Sequence, residues 1–284
     1  MNILLPEKER KTGSSRYNMY KLLAFDIDNT LIQRGKATIE ESALEAVKIC
    51  HEKGMEIVIS TGRTIKAVHP DIIKRMPANY FIGVNGACLN KMDGTVLHSF
   101  KMSRTSTDKL IEIAQQHEYP MGFKFDDSFQ IYNRYDEFVR RYCKNGISES
   151  MLTDCSKTRD YHITHGEPLD AFIYADDNKL PDYFNEFCDL RFVRGNSRKV
   201  IYEAFSADAG KGIMLEILLE KLDISPEEMI AFGDSENDID MIRFAGLGIA
   251  MGNGTPECKA AADYVTDPID QDGIWNALKH FNII

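Results

Sequence analysis

The chain has 284 residues, 43% of them hydrophobic and 27% charged, with a formal net charge of -10. That length suits two domains with sizeable cores, and the balance excludes a globally disordered chain. The acidic surplus argues against a nucleic-acid binder, which needs a basic footprint, and no run approaches the roughly 18 apolar residues of a membrane span.

Residues 1–20 read as a flexible polar extension, with a charge cluster from Glu7 to Lys11 where a signal peptide would continue its apolar core. The first structured stretch, residues 21–86, alternates strands and helices. Leu22-Leu23-Ala24-Phe25 reads as a buried strand ending in Asp26-Ile27-Asp28. Ala43, Ala46, Val47 and Cys50 share one face of a helix over Ile39–Lys53, and Gly54 stops it. A strand follows at Glu56–Ser60, a helix at Ile65–Met76 and a strand at Tyr80–Val84. This alternation predicts βαβ units and a parallel sheet.

Residues 87–205 follow a different pattern. Asp93-Gly94 between Ala87–Leu89 and Val96–Leu97 predicts a hairpin. Helices are expected over Ser103–His117 and Asn178–Cys188, and strands over Met121–Phe125, Phe129–Tyr132, Ala171–Tyr174, Arg191–Val193 and Val200–Tyr202. Hairpins mixed with helices predict an inserted α+β domain. From residue 206 the first pattern returns. It predicts helices at Lys211–Lys221, Ile239–Phe244, Thr255–Asp263 and Ile274–Phe281, with strands at Met229–Phe232 and Gly248–Ala250.

Four places concentrate chemistry. Asp26 and Asp28, two residues apart in a strand, point to one side. At ~4 Å and an effective dielectric near 20 they repel by about 4 kcal/mol, so the pair needs a cation, a shared proton or solvent. An Asp-Asn-Thr turn would use the same residues. Ser60-Thr61-Gly62-Arg63 follows a strand and precedes a helix, which suits an anion, or simple capping by Thr61. Lys211 opens a helix, where the dipole disfavours a cation unless an anionic partner or solvent compensates. Gly233-Asp234-Ser235-Glu236-Asn237-Asp238 places hard oxygen ligands at another strand end. The six cysteines are scattered with no C-x-x-C pair and read as free thiols of a reducing cytoplasm, and the seven histidines show no metal spacing.

These four pieces, in this order, resemble the haloacid dehalogenase superfamily. The stretch from Phe232 through Ala245–Gly254 and Ala260–Val265 to Asp272-Gly273 is similar to its Cof-type subfamily, which carries a large cap of the C2B type. The resemblance implies a Rossmann-like α/β core (residues 21–86 and 206–284) with an inserted cap (residues 87–205) that chooses the substrate. It implies a cytoplasmic phosphatase, monomeric or homodimeric, with Mg2+ as cofactor and a small phosphorylated metabolite, a sugar phosphate or phosphorylated cofactor, as partner. Asp26 would be the nucleophile that becomes an aspartyl-phosphate, and Asp28 the acid and base. Asp26, the Asp28 carbonyl and Asp234 would hold the metal, with Asp238 supporting it. Thr61, Gly62, Lys211, Asn237 and the backbone near Ile27 would hold phosphate. Arg63 would order the site, Asn85 and Gly86 would lie beside it, and Arg194, Asn196 and Lys199 are candidate substrate contacts. A phosphomutase, or a non-catalytic regulator on the same scaffold, remains an alternative.

Overall fold

A computed structural model describes residues 19–68, 70–126, 128–143, 148–195 and 200–284. Its elements run β1 (Leu22–Phe25), α1 (Glu41–Glu52), β2 (Glu56–Ser60), α2 (Pro70–Arg75), β3 (Tyr80–Gly83), β4 (Cys88–Lys91) and β5 (Val96–Ser99). The cap follows with α3 (Arg104–Gln116), β6 (Met121–Lys124), β7 (Phe129–Asn133), α4 (Tyr135–Tyr142), β8 (Leu152–Asp154), α5 (Tyr161–His165), β9 (Asp170–Tyr174), β10 (Leu190–Arg194) and β11 (Ile201–Ser206). The chain then returns through α6 (Lys211–Leu222), β12 (Met229–Gly233), α7 (Ile239–Phe244), β13 (Leu247–Ala250), α8 (Pro256–Ala261), β14 (Tyr264–Val265) and α9 (Gly273–His280).

The core sheet has the order β14-β13-β12-β1-β2-β3-β4-β5. Strands β14 to β3 are parallel, and β4 and β5 are antiparallel. β1 lies near the centre and is buried on both faces, as its unbroken apolar run requires. Leu23 and Phe25 face a cluster with α1 and α9, whereas Leu22 and Ala24 face Met214, Leu215 and Leu218 of α6. Each of these large side chains contributes roughly 1.5–3 kcal/mol by leaving water. The rings of Phe25 and Phe232 stack at 5.0 Å, so β1 and β12 end side by side. This pairing brings Asp26 and Asp234 to one edge of the sheet.

The structure corrects four sequence expectations. The hairpin predicted to open the cap extends the core sheet, with β4 pairing onto β3. Turn chemistry identifies a hairpin but not the sheet edge that receives it. The helix expected over Ile65–Met76 is two pieces, a 3-10 turn at Ile65–Ala67 and α2, separated by the extended Val68. Pro70 explains the break, since proline inside a helix lacks an N–H donor and its ring clashes with the carbonyl four residues back. Residues 1–18 of the expected extension lie outside the described residues, while Tyr20 is buried in the core. Asn178–Cys188 forms a 3-10 helix, Leu180–Glu186, instead of an α-helix.

The cap sheet has the order β10-β11-β9-β6-β7-β8. Its alternating residues split between two faces. Met121, Phe123, Ala171, Ile173, Tyr202 and Ala204 pack with α3, whose first turn is capped by Ser103 accepting from the Ser106 N–H. The other face carries Phe129, Ile131, Phe172 and Tyr174, which α4 covers in part. Lys124 and Asp170 are direct partners across β6 and β9, and Phe172 and Glu203 across β9 and β11. The uncovered part of this face lies over the ends of β1 and β2, leaving a cleft between cap and core of about 1000 Å³.

Candidate active site

Asp26 stands just beyond β1 and is only 5% exposed. Its backbone N–H donates to the Phe232 carbonyl at 3.0 Å, which continues the pairing of the two strands. The Lys211 ammonium, fully buried at the start of α6, donates to Asp26 Oδ1 at 2.7 Å and to Asp238 Oδ1 at 2.6 Å. The cation at a helix start therefore has anionic partners, as its placement required. The Gly212 N–H at the same helix start donates to Asp240 at 3.0 Å.

Asp238 is fully buried and both of its oxygens are used. One accepts from Lys211, and the other accepts from the backbone N–H groups of Asp234 and Ser235 at 2.9 and 3.0 Å. That closes the loop after β12 and aims Asp234 toward Asp26. Carboxylate oxygens of Asp26, Asp234 and Asp238 all lie within 4.8 Å of one another. Crowding of this kind disfavours the charged forms. Burial pushes the Asp26 carboxyl well above the usual carboxylate range, with Lys211 opposing and Asp238 adding to the shift. Burial and then Asp238 push Asp234 up to about 7. Burial works against the Lys211 ammonium, but Asp238 and Asp26 hold it charged, above its ordinary value.

Asp28 lines the same cleft but its carboxylate has a different partner. The strand has ended, Asn29 turns with φ 64°, and the Ile27 carbonyl accepts from Leu31 and Ile32. The Arg63 guanidinium grips Asp28 with two hydrogen bonds of 2.7 and 2.9 Å and donates to the Ala67 carbonyl. Two-residue spacing thus brought Asp26 and Asp28 to one cleft but not into one carboxylate pair. The Asp28 side chain lies outside the cluster of Asp26, Asp234 and Asp238.

Thr61, Gly62, Asn85 and Asn237 also line the cleft, whereas Ile27 and Gly86 are buried behind it. Asn237 donates to Asn85 Oδ1 at 3.0 Å, and Asn85 donates onward to Glu203 of the cap at 3.2 Å. At Gly62 a Cβ would come within 2.9 Å of the Asn85 oxygen. Gly86 has φ +92°, and a Cβ there would come within 2.2 Å of Gly210, so its role is to let the chain pass under α6. Arg194 is exposed at the cleft wall. Asn196 and Lys199 lie outside the described residues.

The sequence reading placed cap contacts at Arg194, Asn196 and Lys199 but missed Lys124, Asp170 and Glu203. Lys124 is 5% exposed and reaches across to the Gly62 carbonyl at 3.1 Å, to Asp170 at 3.3 Å, and over the Phe172 ring at 3.9 Å. Burial pushes Asp170 up to about 8 against the pull of Lys124. Glu203, Tyr142, Phe129 and Phe172 line the same wall. The available signal was a charge inside an apolar strand: Phe123-Lys124-Phe125, and Glu203 within Ile201-Tyr-Glu-Ala-Phe205.

Comparison with known proteins identifies the family of the chain. The family described as haloacid dehalogenase-like hydrolase matches residues 23–278. A Bacillus subtilis protein provisionally named as a phosphatase is 28% identical over 266 residues, covering 93% of this chain and 98% of its own. Another Bacillus subtilis protein, named as the phosphatase of 5-amino-6-(5-phospho-D-ribitylamino)uracil, is 28% identical over 92% of this chain and 95% of its own. Among solved structures, a sugar phosphatase of haloacid dehalogenase subclass IIB superposes with a TM-score of 0.78 at 26% identity, over 93% of this chain and all of that one. Among the described residues no helix is long and apolar enough to cross a membrane.

Proposed function

The chain belongs to the haloacid dehalogenase-like hydrolases and is a phosphatase, and from that premise we propose that it hydrolyses small phosphorylated metabolites with Mg2+ through an aspartyl-phosphate on Asp26. The observation that carries this reading is the buried Asp26 carboxylate, held by Lys211 beside Asp234 and Asp238 at the floor of the cleft.

The donor set fits a hard divalent cation. Three buried carboxylates face one ammonium, so negative charge is in excess, and every available donor is an oxygen. Asp26 and Asp234 would hold the ion with the Asp28 carbonyl. Asp238, with both oxygens engaged, would fix Lys211 and the Asp234 loop. When bound, the ion offsets charge on the cluster and on the transferring phosphoryl group.

In the first step an Asp26 oxygen attacks phosphorus, and the bond from phosphorus to the leaving oxygen breaks. Asp28, released from Arg63 and protonated, gives its proton to that oxygen. In the second step the Asp28 carboxylate takes a proton from water as the water oxygen attacks phosphorus. The bond to Asp26 breaks, which frees the Asp26 carboxylate, releases inorganic phosphate and leaves Asp28 protonated again. Lys211, Thr61, Gly62 and Asn237 orient the phosphoryl oxygens and neutralise their charge. Arg63, freed from Asp28, is placed to do the same.

The substrate class is proposed as sugar phosphates or phosphorylated cofactor precursors. Two similar proteins, by their names, act on a sugar phosphate and on a phosphorylated ribityl compound. The test is hydrolysis of acetyl phosphate by the purified chain. Activity that requires Mg2+ and disappears on chelation is expected. Turnover unaffected by chelation, or none on any phosphate monoester, would overturn the reading.

A further inference from the structure

Two polar groups on the cap wall have hydrogen-bonding capacity left over. Glu203 accepts from Asn85 on one carboxylate oxygen at 3.2 Å, and no described residue bonds the other. The Tyr142 hydroxyl has no hydrogen-bond partner among the described residues, and besides its burial it feels the charges of Glu203, Asp170 and Arg63. Both residues line the cleft beside Phe129 and Phe172. Lys124 differs, since the Gly62 carbonyl, Asp170 and the Phe172 ring already occupy its ammonium.

We infer that Glu203 determines which leaving group is accepted, taking a hydrogen bond from a hydroxyl of the neutral polyol part of a polyol phosphate and repelling phosphate esters that carry a carboxylate there. This rests on the phosphatase reading above. The hydrogen bonds from Asn237 to Asn85 and from Asn85 to Glu203 fix the carboxylate one side chain beyond the loop that holds phosphate. A leaving group attached to that phosphate must therefore pass it. An ionised carboxylate is a strong acceptor for a hydroxyl and a poor neighbour for a second carboxylate. Burial pushes the Glu203 carboxyl above its ordinary value, and the Lys124 ammonium and then the Asn85 amide oppose that shift in favour of the charged form. Tyr142 adds a donor and acceptor on the same wall, and the phenylalanine rings offer apolar faces to the carbon chain of a polyol.

The test compares matched substrates, sorbitol phosphate against phosphogluconate and glycerol phosphate against phosphoglycerate, whose members differ by a CH2OH or a carboxylate. Wild type should favour the neutral members by roughly 100-fold in kcat/KM. Glu203→Gln keeps an acceptor for Asn85 and removes the charge. It should narrow that ratio by about tenfold, through faster turnover of the carboxylated members, with acetyl phosphate hydrolysis within about twofold of wild type. Tyr142→Phe should raise KM for the polyol phosphates about fivefold with kcat held, and it carries the test if the Gln variant does not fold. An unchanged ratio in Glu203→Gln with acetyl phosphate turnover intact, a wild-type preference for the carboxylated members, or an unchanged KM in Tyr142→Phe would overturn the inference alone. Failure of wild type on acetyl phosphate would instead remove the phosphatase reading on which it stands.

Discussion

Each half of the molecule buries a lysine among carboxylates, and the two clusters are built in different ways. In the core, Lys211 joins Asp26 to Asp238, with Asp234 close by, and these groups come from the ends of β1 and β12 and the start of α6. Strand and helix ends leave backbone and side-chain groups free to meet a ligand. In the cap, Lys124, Asp170 and Glu203 come from three neighbouring antiparallel strands, with Lys124 and Asp170 as direct cross-strand partners. There the sheet itself holds the charges, and the lysine closes onto the Gly62 carbonyl of the core. On the proposed reading, the same residue types react in one place, and support and select in the other.

The largest effect that could break this comparison is at Lys211. Lys211→Met should lower phosphatase turnover by roughly 10³-fold, because a charge aimed at the phosphoryl group is lost. It should also destabilise the core by about 3 kcal/mol, because buried carboxylates lose their partner. Steady-state kinetics beside urea unfolding measures both. Near-normal turnover would make the core cluster merely structural.

A smaller effect is expected at Asp234. Asp234→Asn should raise the Mg2+ concentration for half-maximal activity by roughly 10- to 100-fold, with the fold unchanged by circular dichroism. The same titration on Asp170→Asn should leave the Mg2+ requirement where it was. A shift in the cap variant alone would reverse the division of roles.

How much of this was legible in the sequence follows the same division. Asp26, Asp28, Thr61 and Asp234 lie in short loops just past apolar strands, Lys211 opens a helix between two glycines, and a local motif reveals each of them. The parallel core sheet was legible for the same reason, since unbroken apolar runs such as Leu22–Phe25 alternate with helical periodicity. Lys124, Asp170 and Glu203 meet only because β6, β9 and β11 are neighbours, a pairing that no local pattern encodes. Nor did spacing reveal the Asp28–Arg63 pair, which depends on the turn at Asn29. Gly86 was read as a site neighbour. Its requirement is set by α6 passing overhead, more than 120 residues later in the chain.

The smallest effect concerns pH and the cap. Asp170 is raised from 3.8 to about 8, with burial as the main cause. A raised carboxyl stabilises the folded state fully below its unfolded pKa, and this contribution is lost as pH climbs through the folded value. Wild type should therefore lose urea stability progressively between about 3.8 and about 8, and Asp170→Asn should flatten that slope. Unfolding midpoints at the two ends of the window, compared between the two proteins, give the difference directly. Equal slopes would mean that Asp170 stays ionised beside Lys124.

The claim that separates the two clusters most sharply is covalent chemistry at Asp26. Wild type should be mixed with a radiolabelled phosphate ester and Mg2+, quenched in acid within one turnover, and digested. The account predicts label on the peptide that contains Asp26, and none in Asp26→Asn. Turnover without label on that peptide, or label that persists in Asp26→Asn, would contradict it.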